Sequence, residues 1–158
     1  MVKTNMTNQS SEITNMNLPR PLLYFVDDEV DLLEIYEDRF SRYFDIKCFS
    51  SPRRLIEEIR TNACRHPDVI VTDLRMAELD GLEMLRELRN IGLQSPAILL
   101  SGNLDQEAAE LAAGAGVSRI LDKPVKETDL RDSIKGLLPP GKFADIQPPV
   151  RKTRKSDS

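Results

Sequence analysis

The chain has 158 residues, is 40% hydrophobic and 30% charged, and carries a formal net charge of -4. That apolar content suffices for one folded core with ragged ends. The charge is uneven: the tail PPGKFADIQPPVRKTRKSDS holds five Lys/Arg against two Asp, which leaves the rest of the chain at about -7. A fold that acidic argues against nucleic-acid binding by the fold itself and suits cations better.

Residues 1–19, MVKTNMTNQSSEITNMNLP, lack periodicity and large apolar side chains, which predicts disorder. They also lack the apolar core of a signal peptide, and no run approaches the roughly 18 apolar residues of a membrane span. A cytoplasmic location follows by default. PLLYFV is a short continuous apolar run, the pattern of a strand buried on both faces. After it, Leu32, Leu33, Tyr36, Phe40 and Tyr43 share one helical face. FDIKCFS alternates as a strand does. SPRRLIEEIR offers Ser51 as N-cap, Pro52 at the first helical position, and Leu55, Ile56 and Ile59 facing inward.

DVIVTD is a second buried strand, and LEMLRELRN follows with Leu82, Leu85 and Leu88 on one side. PAILLSG is a third strong strand. LDQEAAELAAGAG is a weak, Ala-rich helix ending in glycines. RILDKP is a short strand, and KETDLRDSIKGLL a last helix burying Leu130, Ile134, Leu137 and Leu138. From Pro139 two PP pairs and RKTRK read as a linker or solvated basic tail over 139–158. Strands alternating with helices predict a mainly parallel sheet covered on both faces, with right-handed crossovers. The folded unit is expected over residues 20–138.

In open parallel sheets the functional crevice lies outside the carboxyl ends of the strands. Here those ends carry Asp27 and Asp28 on the first strand, Asp73 on the third, Ser101 on the fourth and Lys123 on the fifth. The acidic pair by itself reads equally well as a favourable charge at the N-terminus of the first helix. Taken with Asp73, Ser101 and Lys123, it reads as part of a site. Close carboxylates repel by roughly 4 kcal/mol per pair at an effective dielectric near 20, so they protonate or bind a cation. Oxygen ligands at an open site suit Mg²⁺. A hard divalent ion beside a lysine is equipment for stabilising a transferring phosphoryl group, and a carboxylate can be its nucleophile. The site is therefore expected to handle phosphoryl groups.

Four motifs in order, VDDE, VTDLRMAELDG, LLSG and LDKP, each at a strand end, make residues Arg20 to Leu138 resemble the receiver domain of bacterial two-component response regulators. The resemblance implies a flavodoxin-like, doubly wound five-stranded parallel sheet of order 2-1-3-4-5 with five helices. It implies Asp73 as the phosphoacceptor from a sensor histidine kinase or phosphotransfer protein, in a Mg²⁺-dependent step without enzymatic turnover of a substrate. Asp28 and Asp73 would hold Mg²⁺ directly, Asp27 through water, and the backbone carbonyl of Arg75 would complete the protein ligands. Lys123, Ser101 and Gly102 would contact the phosphoryl group, and the Lys123–Pro124 bond would be cis. Phosphorylation would alter the face of the fourth helix, fifth strand and fifth helix, where homodimers also form in this family.

Three positions depart from the family pattern. Arg75 is a long cation two residues after the expected phosphoacceptor. Ala77 stands where proline is common, which predicts a more mobile loop. Ile120 occupies a position often aromatic, so the usual inward aromatic swing is unavailable. Away from the site, His66 has no catalytic partners, and Cys48 and Cys64 lack metal or disulfide-framework spacing. Two other readings stay open. The chain is a receiver fragment of a longer regulator with a DNA-binding or enzymatic output domain, or it is a haloacid-type Mg²⁺-dependent phosphohydrolase. The second is disfavoured because adjacent aspartates replace the D-x-D pair that family requires.

Overall fold

Continuous apolar runs at three strands and amphipathic segments between them assemble, in a computed structural model, into an α/β sandwich of ten elements. The structure describes residues 20–103 and 105–139. The expected disordered segment 1–19, and the tail beyond Pro139, lie outside the described residues. In chain order the elements are β1 (Leu22–Val26), α1 (Val30–Phe40), β2 (Asp45–Phe49), α2 (Pro52–Arg60) and β3 (Val69–Asp73). They continue with α3 (Gly81–Asn90), β4 (Ala97–Ser101), α4 (Gln106–Gly114), β5 (Arg119–Asp122) and α5 (Glu127–Leu137). The sheet order is β2-β1-β3-β4-β5 and every pairing is parallel, in agreement with the expected topology.

The two-residue period of the strands divides the core between the faces. Leu23, Phe25, Val69, Val71, Ile98 and Leu100 pack with α1 and α5 through Leu33, Phe40, Leu130 and Ile134. Tyr24, Val26, Ile70 and Leu99 pack instead with α2 and α3 through Leu55, Ile56, Ile59, Leu82, Leu85 and Leu88. All residues of β3 and β4 are buried, as expected of central strands with helices on both sides. Helix starts follow local chemistry: the side chains of Ser51, Asp80 and Asp105 each accept a backbone N–H from the first turn of their helices.

Two local expectations shift. Tyr43 is buried, but α1 ends at Phe40, and Tyr43 reaches the core from the turn beyond it. Its ring lies under the guanidinium of Arg131, 5.1 Å from the centroid, and its hydroxyl accepts a hydrogen bond from that group. In α5, Leu137 is only partly buried, while Leu138, just past the helix, is the residue that fills the core. Cys48 and Cys64 are free and half-buried; burial pushes the Cys48 thiol up to about 11.

Parallel pairing sets one edge of the sheet. Val26 pairs with Phe49 and Thr72, Asp73 with Leu100, and Ser101 with Asp122. The residues just past these positions therefore meet at a common rim.

Candidate functional site at the carboxyl edge of the sheet

Asp27 follows the last residue of β1 and is 2% exposed. Its N–H donates to the Phe49 carbonyl at 3.1 Å, and its Oδ1 accepts the N–H of Glu29 at 2.9 Å. The carboxylate thus does organise the entry to α1, the plain reading of an acidic residue there. Its second oxygen, Oδ2, is buried with no hydrogen-bond partner. Burial is the main force pushing the Asp27 carboxyl up to about 6; the charge of Asp73 adds to it, while the Glu29 amide and Lys123 oppose it.

Asp28 is exposed, and its Oδ2 accepts the N–H of Ala77 at 3.0 Å. Asp73 ends β3, is 9% exposed, and pairs through Oδ1 with Lys123 Nζ at 2.8 Å. Oxygens of Asp27, Asp28 and Asp73 all lie within 4.8 Å of one another. Lys123 sits just past β5, and its peptide bond to Pro124 is cis. One ammonium against three carboxylates leaves the cluster negative. An orphaned buried oxygen inside an all-oxygen donor set is the environment a hard divalent cation satisfies, so the residues fit Mg²⁺.

Ser101 ends β4, buried at 2% exposure, with its Oγ accepting the Asn103 N–H at 3.3 Å. Gly102, next to it, is exposed and has open space where a side chain would project. Arg75 is exposed and makes no hydrogen bond or ion pair among the described residues; with Asp28, Met76, Ala77 and Asp80 it walls an open pocket of about 530 Å³. Ile120 is half-buried and packs on the α2–α3 side of the core, beside Leu99. His66 is exposed, before β3 and therefore at the opposite end of that strand from Asp73.

Sequence reasoning missed two supports. Thr72 is fully buried, and its hydroxyl donates to the Asp73 carbonyl at 2.9 Å. Gly81 opens α3 so close to β3 that a Cβ there would stand 2.3 Å from the Asp73 carbonyl oxygen. The signal for the second was the Asp-Gly pair ahead of an apolar helix. Tyr36, stacked on Phe25 with centroids 4.8 Å apart, also borders the rim. Burial first, then the charges of Asp27 and Asp73, push its phenol up to about 12. It lines an apolar groove of about 530 Å³ between α1 and α5 that reaches Lys123 and Pro124.

A family model described as the response regulator receiver domain matches residues 23–135. The chain belongs to the response regulator receiver family. The receiver is 34% identical over 125 residues to the response regulator protein TmoT of Ectopseudomonas mendocina, covering 78% of this chain and 56% of TmoT. It is 31% identical over 118 residues to TodT of Pseudomonas putida, covering 74% of this chain and 51% of TodT. The receiver thus spans about half the length of these curated relatives. Among solved structures, a response regulator receiver domain protein from Clostridium thermocellum is 30% identical, with a TM-score of 0.66 over 74% of this chain and 93% of that one. Family membership sets aside the haloacid-type phosphohydrolase. Receiver domains bind Mg²⁺ generally, in keeping with the acidic cluster at Asp27, Asp28 and Asp73. No helix among the described residues is long and apolar enough to cross a membrane.

Proposed function

We propose that this receiver takes a phosphoryl group from a histidine kinase or phosphotransfer protein onto Asp73, with Mg²⁺ at the acidic cluster. The observation that carries the reading is the orphaned Asp27 Oδ2 inside a three-carboxylate cluster whose Asp73 is already paired with Lys123. Asp27, Asp28, Asp73 and the backbone carbonyl of Arg75 would hold the ion. When bound, the ion would supply positive charge against the phosphoryl oxygens.

The residues of the chain divide the remaining work. Lys123 holds Oδ1 of Asp73, which fixes the carboxylate and leaves its other oxygen to attack phosphorus. As the new O–P bond forms, the P–N bond to the donor imidazole breaks, and its electron pair stays on the nitrogen. The Lys123 ammonium and the Ser101 hydroxyl would receive phosphoryl oxygens, and the open space at Gly102 supports that reading. Nothing in this scheme turns over a free substrate, so the product is a signalling state rather than a released compound. The altered state would shift a pre-existing equilibrium at the face built from α4, β5 and α5, read by a partner protein or a second copy.

A longer parent regulator is favoured by one observation, the half-length coverage of TmoT and TodT. Output in that case passes through an attached domain.

The test is incubation with acetyl phosphate or beryllofluoride, with and without Mg²⁺, on wild type and Asp73→Asn. The wild type should gain one phosphoryl mass, or respond to beryllofluoride, only with Mg²⁺. A response that survives in Asp73→Asn, or a wild type inert in Mg²⁺, defeats the proposal.

A further inference from the structure

The segment between β3 and α3 is fastened at its base and again midway. At the base, Gly81 N–H donates to the Leu74 carbonyl at 2.9 Å, Leu79 is buried, and Asp80 caps α3. Midway, the Ala77 N–H donates to Asp28 Oδ2 at 3.0 Å, joining residues 49 apart in sequence. This is therefore no local turn. It ties the loop to one of the three carboxylates clustered for a cation.

We infer that the Ala77 backbone amide is a positioning group for the cation site, orienting Asp28 and coupling the β3–α3 loop to metal occupancy. The inference rests on the Mg²⁺ reading above. A carboxylate has two oxygens. With Oδ2 held by the amide, the carboxylate is oriented before a cation arrives and need not be ordered at the moment of binding. Asp28 is the exposed member of the cluster, so without this bond nothing described would hold its rotamer. Hydrogen bonds to ligating carboxylates commonly govern metal affinity in this way. The coupling is reciprocal: a loop conformation that breaks the bond weakens the metal, and bound metal tightens the loop by the same factor. Arg75 and Met76 ride on this loop, so metal occupancy also sets where they stand at the rim.

Mg²⁺ titration of the full chain without a phosphoryl donor tests this, by calorimetry and by backbone amide NMR shifts. Ala77→Pro removes the donor, and Ala77→Gly keeps it. Wild type and Ala77→Gly should bind alike, with Ala77→Pro weaker by about tenfold. In wild type the Ala77 amide proton should move along the same binding curve as the signals of Asp28 and Asp73. Affinity in Ala77→Pro within about twofold of wild type overturns the inference, since loss of such a partner typically costs about ten- to a hundredfold. So does an Ala77 amide proton that stays still while Asp28 titrates, a readout independent of how the proline variant folds. A wild type that binds no Mg²⁺ removes the underlying cation reading, and the inference with it.

Discussion

At the scale of single residues, the site is a set of unequal carboxylates. Asp27 is buried with one oxygen unpartnered, Asp28 is exposed and held by the loop, and Asp73 is held by Lys123. In metal-free protein the buried Asp27 charge opposes folding. Its carboxyl sits at about 6 in the fold against 3.8 for the free group, so the fold binds its proton more tightly than the unfolded chain. The sign follows: the group costs nothing below about 4, and the penalty grows as pH rises toward 6 and is complete above it. A shift of this size corresponds to a ceiling of about 3 kcal/mol. Asp27→Asn should therefore be more stable than wild type in chelator at pH 7, with the gap closing by about pH 4 in urea unfolding. A gap that does not depend on pH would contradict the assignment. Arg75 poses a separate question, because it is exposed, unpaired among the described residues, and lines the same pocket as Asp28. Arg75→Asn should shorten the lifetime of the phosphorylated state several-fold by opening a path for water. Equal dephosphorylation rates in the two proteins would end that idea.

Among the elements, α4 stands apart. Ala112 is its only buried residue, Leu111 is 40% exposed, and its Ala-rich sequence supplies little to pack. Its carboxyl end is nonetheless anchored. The half-buried Arg89 of α3 donates to the carbonyls of Ala115 and Gly116 just past α4, and to that of Leu93, at 3.3, 3.2 and 2.9 Å. Burial pulls the Arg89 guanidinium downward, yet it bonds only carbonyl oxygens, which favours a cation at a helix carboxyl end. The α4 helix is thus tethered at one end and loosely packed along its length, the arrangement of a movable lever. Arg89→Ala should destabilise the fold by about 1–3 kcal/mol by orphaning those carbonyls. Lysine, which lacks the planar fork, should restore only part of that loss. Hydrogen exchange should show the added mobility concentrated in α4 and the turn to β5; uniform acceleration across the sheet would count against the tether.

Across the whole molecule, five parallel strands bring groups from positions 27, 28, 73, 101 and 123 to one rim, while the two halves of the core cover the two faces of the sheet. A cation binding that rim only in the folded state adds stability by mass action, about 2.7 kcal/mol at a hundredfold excess over its Kd. Mg²⁺ should accordingly raise the melting temperature of wild type, and much less that of Asp28→Asn. Equal shifts in both proteins would place the ion elsewhere.

The periodicity of apolar residues determined the ten elements, their order and their inward faces, because burial on both sides of a strand leaves an unbroken hydrophobic run. Chain order also placed Asp27, Asp28, Asp73, Ser101 and Lys123 at strand ends, since parallel strands all finish on the same edge. Local pattern misjudged Tyr43, because the α1 helix stops while the chain still turns toward the core. The remainder depended on distance through space. Only the packed structure decided that Gly81 must leave room for the Asp73 carbonyl, and that Arg89 reaches the far end of α4. It likewise decided that Ala77, a position the sequence marks as a looser loop, offers its amide to Asp28. In each of those contacts one partner is a backbone atom, which every residue carries, so the side-chain identities by themselves do not say where the contact falls.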